Sequence, residues 1–600
     1  MLVAAICAVL AVCAPQGSQA DAPTGLTIVV VDVGQGDGIV LRAPNGTVHV
    51  VDAGPGGQGT IAMLPAIGAL QPSGYGFTFL SHFHEDHLGG LDEVRNALPF
   101  GTAYDRGDLN RPSNTGVNNY LAAAGAQRQQ VALGAVYQLG GGASVRVIAY
   151  DGNVLGGAFV DPTSSAQEEN SRSLVLRVEY GQFSMWLGGD LTGGGSGTGT
   201  TDVESAATLA CGDVDVYKMN HHGSNTSSSL NLVARLQPEL AVVSCGFQNS
   251  YGHPNSAVVN RLNQAAAARA LLSTTTGSAN TIGFGVAGSI RIDTDGRRYR
   301  ASAPNGSFLD FWCDELATPP VATGELRISE VHRNPANVPD TNGEYVEVVN
   351  VGSKPLGLRG VRLVEGTNTI TLASNFVAVP GRPLLFQVDG ASDRNGDQPL
   401  GMALPFGTFS LGDSADTLAL TQGTTTLDSL AYSAGFPGGS GVAAERRNLF
   451  GAQNAANYAA ATAAFGAGDL GSPGRANDAD STVHPVQCAV TVATDRVTLH
   501  ATSLEHGGSH ISALLVSFAD APATPFGGAL IPLAADAAME TSLSMPGFLQ
   551  FLPPGGYRSL DVVLPQPNPL AGMTLYAAHV VLDLNLLVPG VSPAVPFVLP

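Results

Sequence analysis

The run Ser81-His82-Phe83-His84-Glu85-Asp86-His87-Leu88-Gly89-Gly90 constrains this chain more than any other feature. It follows an apolar stretch, 77–80, and precedes a helix-like one, 89–97, so three histidines and an aspartate are expected in one tight strand-to-helix turn. Neutral imidazoles and carboxylate oxygens suit zinc or a similar divalent metal. Four such donors within six residues cannot easily surround one ion. The economical arrangement is two ions, with His82 and His84 facing one and Asp86 and His87 facing the other. Two ions about 3.5–4 Å apart usually share a bridging ligand. Asp190 ends an apolar strand in Leu187-Gly188-Gly189-Asp190 and is the natural bridging carboxylate. Asn220-His221-His222-Gly223-Ser224 ends another and supplies the last imidazole, with His221 and His222 both open as the ligand. Asp52 also ends a strand, and a role behind the ligands fits it, orienting one of the histidines.

Ions held this way lower the pKa of a bridging water, and the resulting hydroxide attacks phosphorus or an acyl carbon. His253 would protonate the leaving oxygen or hold a substrate phosphate, or else only pack beside Pro254. Asp86, His253 and Asp52 are the candidate catalytic residues. Asp37 and Gln35 either line the site or belong to a structural glycine turn. Lys218 either steers an anion or is a solvated strand side chain.

The chain has 600 residues, too many for one hydrophobic core. Residues 21–303 alternate strand-like and helix-like stretches (one helix pattern covers 256–270), which argues for α/β layers. A Pro/Gly-rich linker is expected at 304–323. Residues 324–477 read as short strands and turns at sandwich spacing, and 478–600 as a further all-β domain. Residues 1–20 read as a signal peptide cleaved after Ser18-Gln19-Ala20, and no later segment is long enough to span a bilayer. A secreted, periplasmic or cell-surface location is therefore expected. Four cysteines remain after cleavage, Cys211, Cys245, Cys313 and Cys488, and they permit three disulfide pairings.

Taken together, HxHxDH, the strand-end Asp190 and the His221-His222 pair resemble the metallo-β-lactamase superfamily. More narrowly, Asp32-Val33-Gly34-Gln35-Gly36-Asp37, Asn170-Ser171-Arg172-Ser173, Asn220-His221-His222-Gly223-Ser224 and Tyr251-Gly252-His253-Pro254 resemble the hydrolase domain of ComEC-type competence proteins. The resemblance implies an αββα sandwich, two Zn²⁺ or Mn²⁺ ions, and a substrate position at Ser224, which reads equally as a helix N-cap. Many superfamily members carry another histidine between HxHxDH and the bridging aspartate. Here 88–189 holds none, and Asn170 stands near the place. The His82/His84 ion is thus expected to be less tightly held, with Asn170, water or substrate completing it. The second block resembles a lamin-tail domain with an immunoglobulin-like fold. The residues that carry this are Ile328-Ser329-Glu330-Val331-His332-Arg333-Asn334-Pro335, Glu344-Tyr345-Val346-Glu347-Val348-Val349-Asn350 and Ser472-Pro473-Gly474. His332 is expected at the surface, and Glu330 and Glu347 in structural hydrogen bonds.

A phosphodiesterase acting on a phosphoester, with extracellular DNA as the candidate substrate, is the leading reading. The net charge of −21 counts against tight DNA binding, although bound cations would reverse the local field. The rival readings are an esterase acting on phosphorylcholine or another small ester, and a non-enzymatic adhesion or matrix protein whose β domains make the contacts.

Overall fold

The computed structural model describes residues 25–600 apart from 195–196, 265–269, 279–283, 314–319, 353, 373–375, 391–393, 404–408, 476, 478, 480–485, 495, 504–509, 545–546, 553–556 and 565–567. The expected leader, 1–20, lies outside the described residues.

The first block is two facing sheets with helices on both outer sides. One sheet runs through Leu26–Val30, Gly38–Arg42, Thr47–Ala53, Gly74–Phe79 and Ala103–Asp105. The other runs through Ala143–Tyr150, Val175–Tyr180, Phe183–Leu187, Val216–Lys218, Leu240–Val243 and Ala270–Ser273. Period-2 alternation sorts their side chains. Ile28, Val30, Met185, Leu187, Leu240 and Val242 meet between the sheets. Val29, Val31, Val48 and Val50 turn outward under Ile67, Leu91, Val94 and Val117 of the helices on that side. Trp186, Tyr217, Ala241 and Val243 turn outward under Ala207, Leu232, Leu236 and Val258 on the other. Burying each large aliphatic side chain contributes about 1.5–3 kcal/mol, and the layer order is the one the resemblance implies. The helix pattern at 256–270 is seen over its first part, and 265–269 lie outside the described residues. The helix spans Ser256–Gln264, and Ala270 already opens a strand.

The stretch expected as a linker, 304–323, contains a strand. Phe308–Trp312 pairs with Arg298–Ser302 on one side and with Phe376–Ala378 of the second block on the other. The turn signal Ala303-Pro304-Asn305-Gly306 is a tight hairpin, closed by Ala303 N–H to Ser307 O and Gly306 N–H to Ala303 O. Tyr299, Phe311 and Phe376 stack across the junction at 4.7 and 4.6 Å, and Arg300 pairs with Asp310 at 2.7 Å. One apolar core consequently runs from Leu26 to Tyr458.

In the second block a six-stranded sheet, including Leu326–His332 and Tyr345–Asn350, faces a four-stranded sheet that includes Asp416–Gln422 and Thr425–Tyr432. Glu330 and Glu347 are fully buried and accept hydrogen bonds from Tyr345 Oη and Ser472 Oγ, and from Ser329 Oγ and Gly474 N–H. His332 is not at the surface: it is 1% exposed, with Nε2 3.1 Å from Asp469. The third block is not all-β. A helix, Ala537–Ser544, starts where Asp536 accepts the N–H groups of Ala538 and Met539. Among the described residues, Cys211, Cys245 and Cys488 form no disulfide.

Glu344 sets up a pH dependence in the second block. Its Oε2 accepts Leu411 N–H at 3.0 Å, while Oε1 is buried without a hydrogen-bond partner. Burial, then the nearby Asp340 and Asp413 charges, push its carboxyl up to about 8. A carboxyl raised from about 4.3 when unfolded contributes stability that is complete below that value and lost as pH rises through about 8. Glu344→Gln is expected to stabilise the block by about 1–3 kcal/mol at pH 9 and hardly at all at pH 5. Hydrogen-exchange protection of Tyr345–Asn350 at both pH values checks this.

Candidate metal centre

Every candidate donor sits just beyond the carboxyl end of a strand, where open α/β sheets place their sites. Thr47–Ala53 runs parallel to Gly74–Phe79, delivering Asp52 and the 81–87 turn side by side. Phe183–Leu187 runs parallel to Val216–Lys218, and that strand to Leu240–Val243, delivering Asp190, His221-His222 and Ser244. The turn itself becomes a short helix, Glu85–Leu88, so that Asp86 and His87 point inward from its first turn.

The donors fall into two groups that meet on Asp190. Donor atoms of Asp86, His87, Asp190 and His222 all lie within 4.8 Å of one another, and so do those of His82, His84 and Asp190. Asp190 Oδ1 is 3.1 Å from His87 Nε2 and 3.5 Å from His222 Nε2. Asp190 Oδ2 is 3.7 Å from His82 Nε2 and 3.5 Å from His221 Nε2. His221 and His222 both reach Asp190, from opposite sides: His222 faces Oδ1 within the Asp86/His87 group, and His221 faces Oδ2. Both residues adopt left-handed backbone (φ 51° each), which splays their rings to 70°. Side chains with a Cβ hold this conformation at a cost of about 1–3 kcal/mol, a strain that gathers at functional sites. The group missing a histidine from the 88–189 interval thus has His221 beside it, and Asn170 Nδ2 lies 3.2 Å from His221 Nε2.

Behind the donors, partners fix ring orientation. Asp52 Oδ2 is 2.8 Å from His87 Nδ1, and Asp52 also accepts Ser81 N–H at 2.7 Å and Ser81 Oγ–H at 2.6 Å. His222 Nδ1 faces Ser244 O at 3.1 Å and Asp37 Oδ1 at 3.3 Å. Asp37 therefore does not line the cleft as expected. It is 1% exposed, paired with Lys218 Nζ at 2.7 Å, and accepts Ser244 Oγ–H. Lys218 is neither solvated nor an anion guide, being 1% exposed itself. The loop of Asp37 is the structural glycine turn: Gly36, at φ +143°, lies so close to Asp86 O that no Cβ fits. Gln35 does reach the cleft, with Nε2 3.5 Å from His253 Nδ1.

The cleft measures about 980 Å³, and Gln35, Glu85, Asn170, Ser224, Tyr251 and His253 are among its lining residues, with the donors. Ser224 is not a helix N-cap; it closes the short turn Asn220–Gly223, and Ser229 caps the next helix, accepting Leu232 N–H. His253 stacks between Tyr251 (5.7 Å) and His222 (6.2 Å). Burial, then His222 and His221, push its imidazole down to about 4.

Burial opposes charge on Asp190, yet His221, His87 and His222 hold its carboxyl well below the usual range. Burial likewise opposes charge on His222, yet Asp190 and Asp37 push it up to about 10. Negative charge thus accumulates here, and a cation would displace those protons on binding. The donor set also fits a cation at the level of single atoms. His87 Nε2, His222 Nε2, Asp190 Oδ1 and Asn170 Oδ1 are buried without a hydrogen-bond partner.

Sequence reasoning missed Glu169, Arg106 and Glu204, which brace the loops carrying the donors. Glu204 accepts Asn220 Nδ2–H and the Ser228 and Ser229 N–H groups. These residues have no motif of their own, and only the adjacency of Glu169 to Asn170 pointed their way.

Residues 31–246 match the metallo-beta-lactamase superfamily, so the first block carries a domain of that superfamily. ComE operon protein 3 of Bacillus subtilis is 26% identical over 250 residues, covering 39% of this chain and 30% of that protein. Competence protein ComA of Neisseria gonorrhoeae is 28% identical over 283 residues, covering 44% and 36%. The chain thus spans about a third of the length of these curated relatives. Among solved structures, Zn²⁺-bound PqqB from Methylobacterium extorquens is similar at 12% identity and a TM-score of 0.25, covering 40% of this chain and 95% of that one.

Proposed function

We propose that this metallo-β-lactamase superfamily domain is a phosphodiesterase using two divalent cations, zinc or manganese, and acting outside the cytoplasm. The observation that carries the reading is the meeting of two donor groups on the two oxygens of the buried Asp190. His82, His84, His221 and Asp190, with Asn170 adjacent, would hold one cation; Asp86, His87, His222 and Asp190 would hold the other. Such cations would supply Lewis-acid chemistry and an activated water for attack on the phosphoryl group. The chain's own residues do the rest. Asp52 keeps the His87 Nδ1 proton, so that Nε2 faces the centre, and Asp37 with Ser244 O does the same for His222. Ser224 and His253 offer a hydroxyl and a neutral ring to the substrate, and Tyr251 offers an aromatic wall.

Among the described residues, none that lines the cleft is Lys or Arg. The guanidiniums of Arg106 and Arg172 lie behind the wall, committed to Glu169 and Glu168. That favours recognition of a single phosphodiester over tracking a long polyanion. The competence names of the relatives support a nucleic-acid phosphodiester, approached at an end or in a single strand. One observation favours phosphorylcholine or another small ester as second reading: Tyr251, 68% exposed at the mouth near Glu85, suits a quaternary ammonium. The β blocks, 324–477 as a lamin-tail-like sandwich and the C-terminal one, would contact a surface or matrix, and a leader at 1–20 would direct export.

The test is an assay of the full chain on single-stranded DNA, duplex DNA, bis-p-nitrophenyl phosphate and a phosphocholine ester, beside His84→Ala. Hydrolysis of bis-p-nitrophenyl phosphate and single-stranded DNA, abolished by chelation and lost in His84→Ala, is expected. Turnover of none of the phosphodiesters with zinc and manganese supplied, or equal rates in His84→Ala, would contradict it.

A further inference from the structure

We infer that Glu169 is a positioning residue that sets the His82/His84 side of the metal centre by holding the peptide between those two histidines. Phe83 N–H donates to Glu169 Oε1 at 2.8 Å, and this single bond fixes the peptide plane that aims His82 and His84. The carboxylate is itself held in place. Arg106 Nε donates to the same Oε1 at 3.1 Å and Nη2 to Oε2 at 2.6 Å. Arg106 has no exposed surface; its Nη1 donates to Asp151 at 3.0 Å and Leu109 O at 2.6 Å, and its guanidinium covers the Phe83 ring at 4.8 Å. Arg172 ties Asp151 to Glu168 from the other end, at 3.2 and 2.6 Å. The first two residues of the one-turn helix Glu168–Ser171 are therefore each gripped by an arginine. Asn170, next to Glu169 in that helix, reaches His221.

Two adjacent residues of one turn thus support His82, His84 and His221. The supports of His87 and His222 are different groups, Asp52 and Asp37 with Ser244. Ser81 is the link between them: Asp52 binds it, and its Oγ is 3.1 Å from His82 Nδ1 and 3.3 Å from His87 Nδ1. Loss of Glu169 should therefore weaken one cation and spare the other. Removing a support behind a ligand costs about 10–100-fold in affinity.

The inference rests on the two-cation reading, and calorimetric titration of the metal-stripped full chain with Zn²⁺ separates the two. The wild type should bind in two steps. Glu169→Ala, and Glu169→Asp, whose shorter arm cannot reach both Phe83 N–H and Arg106, should weaken one step by at least about tenfold and leave the other within about threefold. Glu169→Gln should recover most of the loss, because its amide oxygen still accepts Phe83 N–H. Equal weakening of both steps, or two unchanged steps in Glu169→Ala and Glu169→Asp, overturns the positioning role while the two-cation reading stands. A wild type that binds fewer than two ions overturns that reading and the inference with it.

Discussion

Asp190→Ala is expected to empty both sides of the centre at once and to lower kcat/KM for phosphodiester hydrolysis at least about a thousandfold, roughly 4 kcal/mol of transition-state stabilisation. The reason is that Asp190 is the only carboxylate shared by the two donor groups. Its Oδ1 faces His87 and His222, and its Oδ2 faces His82 and His221. Any other donor belongs to one group. His84→Ala should cost the ion on its own side; Asp190→Ala takes a donor from both and leaves buried imidazoles with no anion between them. Elemental analysis of the purified variant beside its hydrolysis rate checks the result. Retention of two ions per chain with wild-type activity would remove Asp190 from the centre.

Lys218→Met is expected to destabilise the first block by about 3–5 kcal/mol, because it strands a buried carboxylate. Asp37 and Lys218 are both almost fully buried, with Nζ 2.7 Å from Oδ1 and 2.9 Å from Oδ2. Asp37 N–H also donates to Asp86 O, and Asp37 O accepts Gly54 N–H, so the pair ties the 31–38 loop to two elements of the centre. Removing both charges together, Asp37→Asn with Lys218→Met, should cost clearly less than Lys218→Met alone. Burial opposes charge on Asp37, but Lys218 and His222 hold its carboxyl far below the usual range. Stability from a depressed carboxyl is present above its unfolded value of about 4 and lost as pH falls through the folded one. The gap between wild type and Lys218→Met should therefore narrow below about pH 4. Urea unfolding followed by fluorescence of Trp186, buried in this block, measures it.

Much of the site was legible because its donors are either close in sequence or mark strand ends. HxHxDH sits in one turn, and Asp52 and Asp190 each close an apolar run. What was hidden depends on backbone conformation and long-range pairing. Two adjacent strand residues ordinarily face opposite ways, so His221 and His222 read as alternatives. Only left-handed backbone at both brings their rings to the two oxygens of Asp190. Asp37 and Lys218 are 181 residues apart and look, one at a time, like polar residues near a cleft. The junction at 304–323 was misread for a related reason: Pro-Asn-Gly marks a hairpin as well as it marks a domain boundary. Only the packing of Phe311 between Tyr299 and Phe376 tells the two apart.

Anomalous diffraction from crystals of the full chain grown with zinc or manganese tests the central claim most directly. Two peaks are predicted, both against Asp190, one beside His82, His84 and His221 and the other beside Asp86, His87 and His222. A single peak, or none at Asp190, would contradict it.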